Sequence, residues 1–407
     1  NNNIVPTNTQ YTWVIKTDNA AITGQIDEAT PQSSFTQTLR NTTNTQKSIV
    51  YTITPISGSC TGTAFDLTVL VNPTPEFTDK TDAICSGGTF TITPSNAGNG
   101  ALDIVPAGTT YTWTVVDNAN VTGESNQSSG LGSISQTLTN LSNEVQTVTY
   151  TVTPTSGSDG NCVGQTFDVV VTVNPQPIVA DETIAACSNA PISYTATNGG
   201  GITNNNIVPT NTQYTWVIKT DNNDITGKSA QATPQASFTQ TLRNTTNTQQ
   251  TIVYTLTPSS GVCAGNPFDL TVLVNPIPEI AAKTVAICSE VFFVVSPVDG
   301  FVNNNGAVDI VPAGTTYTWV VTPNNNVTGE SSVSIAQNSI SQQLTNTTNT
   351  VQTVFYTVTP RSGATGNCIG LPFQVSVQVD PKPFVQTINE TVCSDSPFTI
   401  SPANGNG

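Results

Sequence analysis

Histidine and methionine are absent from this sequence, and lysine and arginine together number only 10 in 407 residues. Without histidine there is no imidazole to act as general base, so Ser–His–Asp and Cys–His catalysis is excluded. The same absence, together with the lack of any Cys-x-x-Cys pair, argues against a zinc site. Charge of either sign is scarce: 9% of residues are charged, and 26 Asp and Glu leave a formal net charge of −16. So few cations offer no electrostatic footprint for nucleic acid and no polybasic patch for anionic lipid. No apolar run approaches the ~20 residues of a membrane-spanning helix; Val291-Phe292-Phe293-Val294-Val295 is the longest. Direct membrane insertion is therefore not expected, and neither is a nucleic-acid partner. No dense Asp-x-Asp-x-Asp loop is present, so no cofactor is expected, with a calcium site on the recurring carboxylates as the alternative. An initiating methionine, a signal peptide and a sorting tail are also missing. The sequence reads as a piece of a longer chain, opening and closing in mid-module.

What is present is a sentence written four times. Cys162 opens a strand in which Phe167, Val169, Val171 and Val173 alternate with polar residues, the period of a half-buried strand. The strand ends in Asn174-Pro175-Gln176-Pro177. The same text runs from Cys60 to Pro75, from Cys263 to Pro278 and from Cys368 to Pro383. Trp13, Trp113, Trp216 and Trp319, each in a Tyr-Thr-Trp triplet, stand 100, 103 and 103 positions apart. Residues 1–19 recur unchanged at 204–222, whereas the second and fourth copies share Val-Pro-Ala-Gly-Thr-Thr-Tyr-Thr-Trp. The copies therefore alternate A-B-A-B.

A module of roughly 100 residues is the usual size of an immunoglobulin-like sandwich. The expected fold is all-β, a tandem array of immunoglobulin-like β-sandwich modules forming an extended rod. We place a partial module at 1–75, full modules at 76–177, 178–278 and 279–383, and the front of another at 384–407. In 76–177 the expected strands are a polar lead-in from Glu76 to Ala83, Thr89–Thr93, the Trp113 strand, a short strand marked by Ile134 and Leu138, the Tyr150 strand and the closing strand. The Ser-Asn-Ala-Gly-Asn-Gly run at 95–100, the stretch 117–132 and the Ser-Gly-Ser-Asp-Gly-Asn run before Cys162 read as loops. The joints carry Pro73, Pro75, Pro175, Pro177, Pro276, Pro278, Pro381 and Pro383. Paired prolines fix φ twice and favour an extended, stiff link.

The eight cysteines have no clustered spacing and suit disulfides in an oxidising compartment. Two connectivities fit. In the favoured one each module is stapled internally, Cys85–Cys162, Cys187–Cys263 and Cys288–Cys368, leaving Cys60 and Cys393 to pair beyond this sequence. In the other, each bridge spans a joint between cysteines 25 positions apart, such as Cys60 and Cys85. An internal bridge closing nearly 80 residues contributes ~3–5 kcal/mol on the chain-entropy model.

The face that each tryptophan shares with the tyrosine two residues earlier is regular in all four copies and reads as core rather than as a sugar platform, and Tyr51, Tyr150, Tyr254 and Tyr356 are expected in the core as well. Asp103, Asp309, Glu124 and Glu330 recur in the B copies only, and Asp66, Asp168 and Asp269 sit on the outward face of the closing strand. Scattered acids on a solvated face account for all of them, so no catalytic pair is expected. Lys16 and Lys219 read as solvent-facing rather than as isopeptide donors. The sequons at Asn41, Asn140 and Asn244 are weak signals in a chain so rich in Asn and Thr.

Ile84-Cys85-Ser86-Gly87-Gly88-Thr89-Phe90, Tyr111-Thr112-Trp113-Thr114-Val115, Gln136-Thr137-Leu138-Thr139-Asn140, Val148 to Pro154 and the Cys-to-Asn-Pro-x-Pro closing strand resemble the PKD-like, immunoglobulin-like repeats of giant Bacteroidota cell-surface adhesins, with the gliding-motility (SprB-like) type the closest likeness. The resemblance spans essentially the whole sequence. It implies a non-enzymatic stalk, exported by the type IX route, attached to the outer membrane and projecting outward. The implied partners are neighbouring modules, other copies of the filament, and a surface polysaccharide or substratum gripped by regions outside this sequence. A self-associating sheath filament, or spacer modules of a secreted polysaccharide-degrading enzyme, are the rival readings.

Overall fold

The computed structural model describes residues 3–96, 103–157, 160–201, 205–303, 305–363 and 366–403. Asn1 and Asn2 of the recurring run, the 97–100 end of one expected loop and Ser158-Asp159 of another lie outside them. All regular structure among the described residues is β-strand. Thr, Val and Ile on alternate positions favour the pleated, half-buried surface of a sheet over a helix. The chain divides into two compact units. One comprises Asn1–Ile178, Ile207–Thr212 and Ser259–Gly265; the other comprises Val179–Asn206, Gln213–Pro258 and Asn266–Gly407.

The second repeat displays the plan. Its larger sheet runs, neighbour to neighbour, Gln127–Leu131, Thr110–Val115, Gln146–Thr155, Phe167–Asn174 and Lys80–Cys85. A smaller sheet pairs Val121–Thr122 and Gly88–Ile92 with the two edges of Ile134–Asn140. The fourth repeat repeats both sheets, with the closing strand Phe373–Asp380 between Lys283–Cys288 and Gln352–Arg361. In the third, Glu182–Cys187 borders Phe268–Asn275 in the same way.

One pairing orients everything that follows. The front strand of each repeat lies parallel to the closing strand, so Cys85 stands opposite Asn174, Cys187 opposite Asn275 and Cys288 opposite Asp380. The other strand pairs among the described residues are antiparallel. The front strand is also shorter than the sequence suggests. It begins at Lys80, and Glu76 only bridges to Ile104. The stretch 117–132, expected as a loop, contains two strands.

Between the sheets of the first, second and fourth repeats lies a separate core in each. Trp13, Trp113, Trp216 and Trp319 and the tyrosines at 51, 150, 254 and 356 are all buried. Each indole N–H donates to a backbone carbonyl, that of Ile26, Ser125, Ser229 or Ser331. The aromatic bulk is thereby buried with its one polar handle satisfied.

Candidate functional site

Each of the first three joints is a built site. The closing strand delivers Asn-Pro-x-Pro (Asp-Pro-x-Pro after the fourth repeat), and Pro73, Pro75, Pro175, Pro177, Pro276 and Pro278 are buried where they fall. Pro381 is half-buried and Pro383 is exposed. After the first and third repeats the hairpin preceding the next closing strand then presses on the joint. A Cβ on Gly164 would lie 2.2 Å from the Pro75 carbonyl oxygen, and one on Gly370 would lie 2.1 Å from that of Pro278. Only glycine permits so close an approach.

The disulfides form at these joints, and this corrects the expected connectivity. Cys85 bonds Cys263, with Cα atoms 5.6 Å apart, inside the first unit. Cys187 bonds Cys368, with Cα atoms 5.7 Å apart, inside the second. Neither Cys85–Cys162, Cys187–Cys263 nor Cys288–Cys368 exists. The parallel front strand is the reason. It ends beside the last residue of the closing strand, whereas the other cysteine of the same repeat precedes the first. A closing strand of 8 residues spans about 25 Å, far beyond the ~7 Å that a bridge tolerates. The alternative pairing of cysteines 25 positions apart is absent too. The front cysteine of one repeat instead reaches the hairpin cysteine of the next. Cys60, Cys162, Cys288 and Cys393 are free thiols.

Beside each front cysteine a serine and an asparagine lock the turn. The backbone N–H of Ser86, Ser188 and Ser289 donates to the last residue of the closing strand, Asn174, Asn275 or Asp380. The serine hydroxyls accept from the backbone N–H of Asn140, Asn244 and Asn346. These asparagines, with Asn41, are buried. Asn140 Nδ2 donates to Glu144 O and Val173 O, while its Oδ1 accepts from the N–H and hydroxyl of Ser142. The Asn-x-Ser/Thr pattern is therefore a turn device here. Its third residue is chosen for a hydroxyl that reaches back to the asparagine.

Two acidic residues placed on a solvated face by the sequence are in fact interior. Asp103 and Asp309 are buried, paired with Lys80 at 2.7 Å and Lys283 at 2.6 Å. Asp103 also accepts from the Thr78 N–H, and Asp309 from that of Ala281. The third repeat has Glu182 and Asn206 in these places, and Asn206 accepts from Ala180. A lysine four residues after the first glutamate of the lead-in and an acid 23 or 26 positions later were the available signal. Asp66 and Asp269 lie on the outer face and form ion pairs with Lys16 and Lys219, which hold both carboxyls below their ordinary range. Glu124 and Glu330 each accept a backbone N–H, from Asn118 and Asn324, with one oxygen and leave the other buried without a partner. Among the described residues, no group of three or more His, Cys, Asp or Glu is placed to hold a metal ion.

A family model described as a PKD-like domain matches residues 1–75, 82–177, 184–278 and 297–383. Similar solved structures include the human desmocollin-1 ectodomain, at 10% identity over 95% of this chain and 78% of that one, with a TM-score of 0.27. Drosophila N-cadherin EC1-4 is 11% identical over 93% of this chain and 94% of that one, with a TM-score of 0.22. The three N-terminal domains of the highly immunogenic outer capsid protein of bacteriophage RB49 are 13% identical over 74% of this chain and 96% of that one, with a TM-score of 0.30. No curated protein sequence gives a significant match.

Proposed function

We propose, for a chain that belongs to the PKD-like domain family along all four of its repeats, that it is a load-bearing stalk of an extracellular surface adhesin. The observation that carries this reading is the placing of the disulfides. A bridge that closes one repeat stabilises that repeat; a bridge from one repeat to the next carries tension across the joint. Buried prolines stand at both bridged joints, and at the second of them Gly370 pressed on the Pro278 carbonyl leaves little slack. The stalk holds a gripping region away from the cell, against a polysaccharide or a solid substratum. In the fuller form of the reading the filament is attached to the outer membrane, is exported by the type IX route and serves gliding motility.

Pulling single molecules from their ends tests the mechanical role. With the bridges intact, the extension released by unfolding falls well short of the full contour of ~3.3–3.6 Å per residue. Reductant restores the missing length. Identical traces with and without reductant would remove the basis of the proposal. Antibody label on live producing cells tests the setting: surface fibres are expected, and travelling fibres mark a gliding adhesin. Label found only on a soluble enzyme in the medium would turn the repeats into spacers.

A further inference from the structure

The bridged cysteines follow one another as Cys85, Cys187, Cys263 and Cys368, and their partners alternate: the first bonds the third and the second bonds the fourth. Each bridge is a node at which the chain meets itself. Three chain segments run from one node to the other, 85–187, 187–263 and 263–368, of 102, 76 and 105 positions. Bridges closed one after the other along the chain would leave a single segment between them.

Two of the three segments reach the opposite node by short, extended runs. In the second repeat Asn174, the last residue of the closing strand, stands opposite Cys85. From Asn174 only the joint and the front strand Glu182–Cys187 lead to the second node. The segment from Cys263 follows the closing strand Phe268–Asn275, and Asn275 stands opposite Cys187. Beyond Asn275 this segment passes through the fourth repeat before it ends at Cys368. Both runs are β-strand over much of their length, so their backbone has little left to extend. Each is fastened where it leaves its neighbour, because Ser86 N–H donates to Asn174 O and Ser188 N–H donates to Asn275 O. The remaining segment, 187–263, is the body of the third repeat.

We propose that this arrangement makes the chain from Cys85 to Cys368 lengthen under tension as one unit, with the second, third and fourth repeats opening together. In an unbridged tandem array the repeats stand in series. Each then bears the whole load, and they open one at a time. Here the nodes move apart only if all three segments lengthen. The front-strand run lengthens by drawing chain past Asn174 out of the second repeat. The closing-strand run lengthens by drawing chain past Asn275 out of the fourth. The middle segment lengthens by opening the third. The load is divided among the three segments, and none of the three repeats is drawn out alone. The shortest segment sets the limit at 76 positions, or about 250–275 Å of fully extended chain, against 283 positions from Cys85 to Cys368 once the bridges are reduced. The inference deepens the load-bearing reading and rests on it.

The test stretches single chains by their ends, in protein carrying Cys60→Ser, Cys162→Ser, Cys288→Ser and Cys393→Ser so that only the two bridges form. Mass spectrometry of the linked peptides verifies both bridges first. The contour missing relative to the reduced chain should be 207 residues, which is the 283 positions from Cys85 to Cys368 less the 76 of the shortest segment. No step should release one whole repeat from that span. Adding Cys187→Ser with Cys368→Ser should hide 178 residues and let the fourth repeat open alone as a full-size step. Adding Cys85→Ser with Cys263→Ser instead should hide 181 residues and free the second repeat in the same way. Whole-repeat steps from this span in the doubly bridged chain overturn the inference, and so does any missing length other than 207 residues. The doubly bridged chain decides this by itself if a single-bridge variant does not fold. Missing length with whole-repeat steps removes this inference alone, whereas traces unchanged by reductant remove the load-bearing reading with it.

Discussion

Asn140 makes four hydrogen bonds from a position 3% exposed to solvent. Replacing it with alanine strips partners from two carbonyls and one N–H in the interior, so Asn140→Ala should destabilise the second repeat by about 2–4 kcal/mol. Urea unfolding followed by Trp113 fluorescence measures this. In a glycosylating host the same asparagine should carry no glycan, which intact mass checks. The Lys283–Asp309 pair obeys a different rule, because the aspartate side chain is fully buried and the lysine is 16% exposed. Asp309→Ala strands that ammonium and should cost about 3–5 kcal/mol, while Lys283→Met with Asp309→Asn should cost much less. Urea midpoints of the two variants decide it. The buried tyrosines set an alkaline limit. Burial, and secondarily the nearby Asp103 or Asp309, pushes Tyr111 and Tyr317 up to about 12. A folded pKa above the unfolded value near 10 favours the neutral phenol in the native state. The resulting stability is complete below about pH 10 and is lost as pH rises toward 12. Tyrosinate absorbance should therefore appear together with unfolding rather than before it.

At the scale of strands, the sequence was most legible where one face is buried and the other wet. Phe167, Val169, Val171 and Val173 alternate and are buried as the alternation requires. The strand Gln127–Leu131 was missed because it is an edge with almost every residue exposed, leaving no period to read. The buried ion pairs were missed because a single Lys or Asp on a polar stretch looks the same in sequence whether it faces solvent or core. The disulfides misled for a geometric reason. Spacing counts residues along the chain, and it cannot say which end of a strand a cysteine occupies. Only the parallel front strand decides that, and its polar half gives no hint of direction. The hairpin glycines offer a check on the joint itself. Gly370→Ala forces a backbone shift against Pro278 O and should destabilise the fourth repeat by about 1–3 kcal/mol. Gly261→Ala, on a hairpin with open space around it, tests the contrast: its cost should come only from a positive φ of 58°. Thermal melts of the two variants compare them.

At the scale of the molecule, composition excluded histidine chemistry, and the repeat period located the four matches of the PKD-like domain. What no repeat could reveal alone was the linkage between repeats, because it belongs to pairs of them. The two bridges interleave in sequence: Cys187 lies inside the loop closed by Cys85 and Cys263, and Cys263 lies inside the loop closed by Cys187 and Cys368. Every peptide bond between Cys85 and Cys368 is therefore enclosed by at least one disulfide. A protease that nicks the backbone once anywhere in that span leaves both pieces covalently attached. The two ends stay joined through any two cuts in that span, and only a reductant, or at least three cuts with one in each of the intervals 85–187, 187–263 and 263–368, parts them. A chain nicked once between Cys85 and Cys368 should keep its full mass on a non-reducing gel and fall into fragments only when the disulfides are reduced.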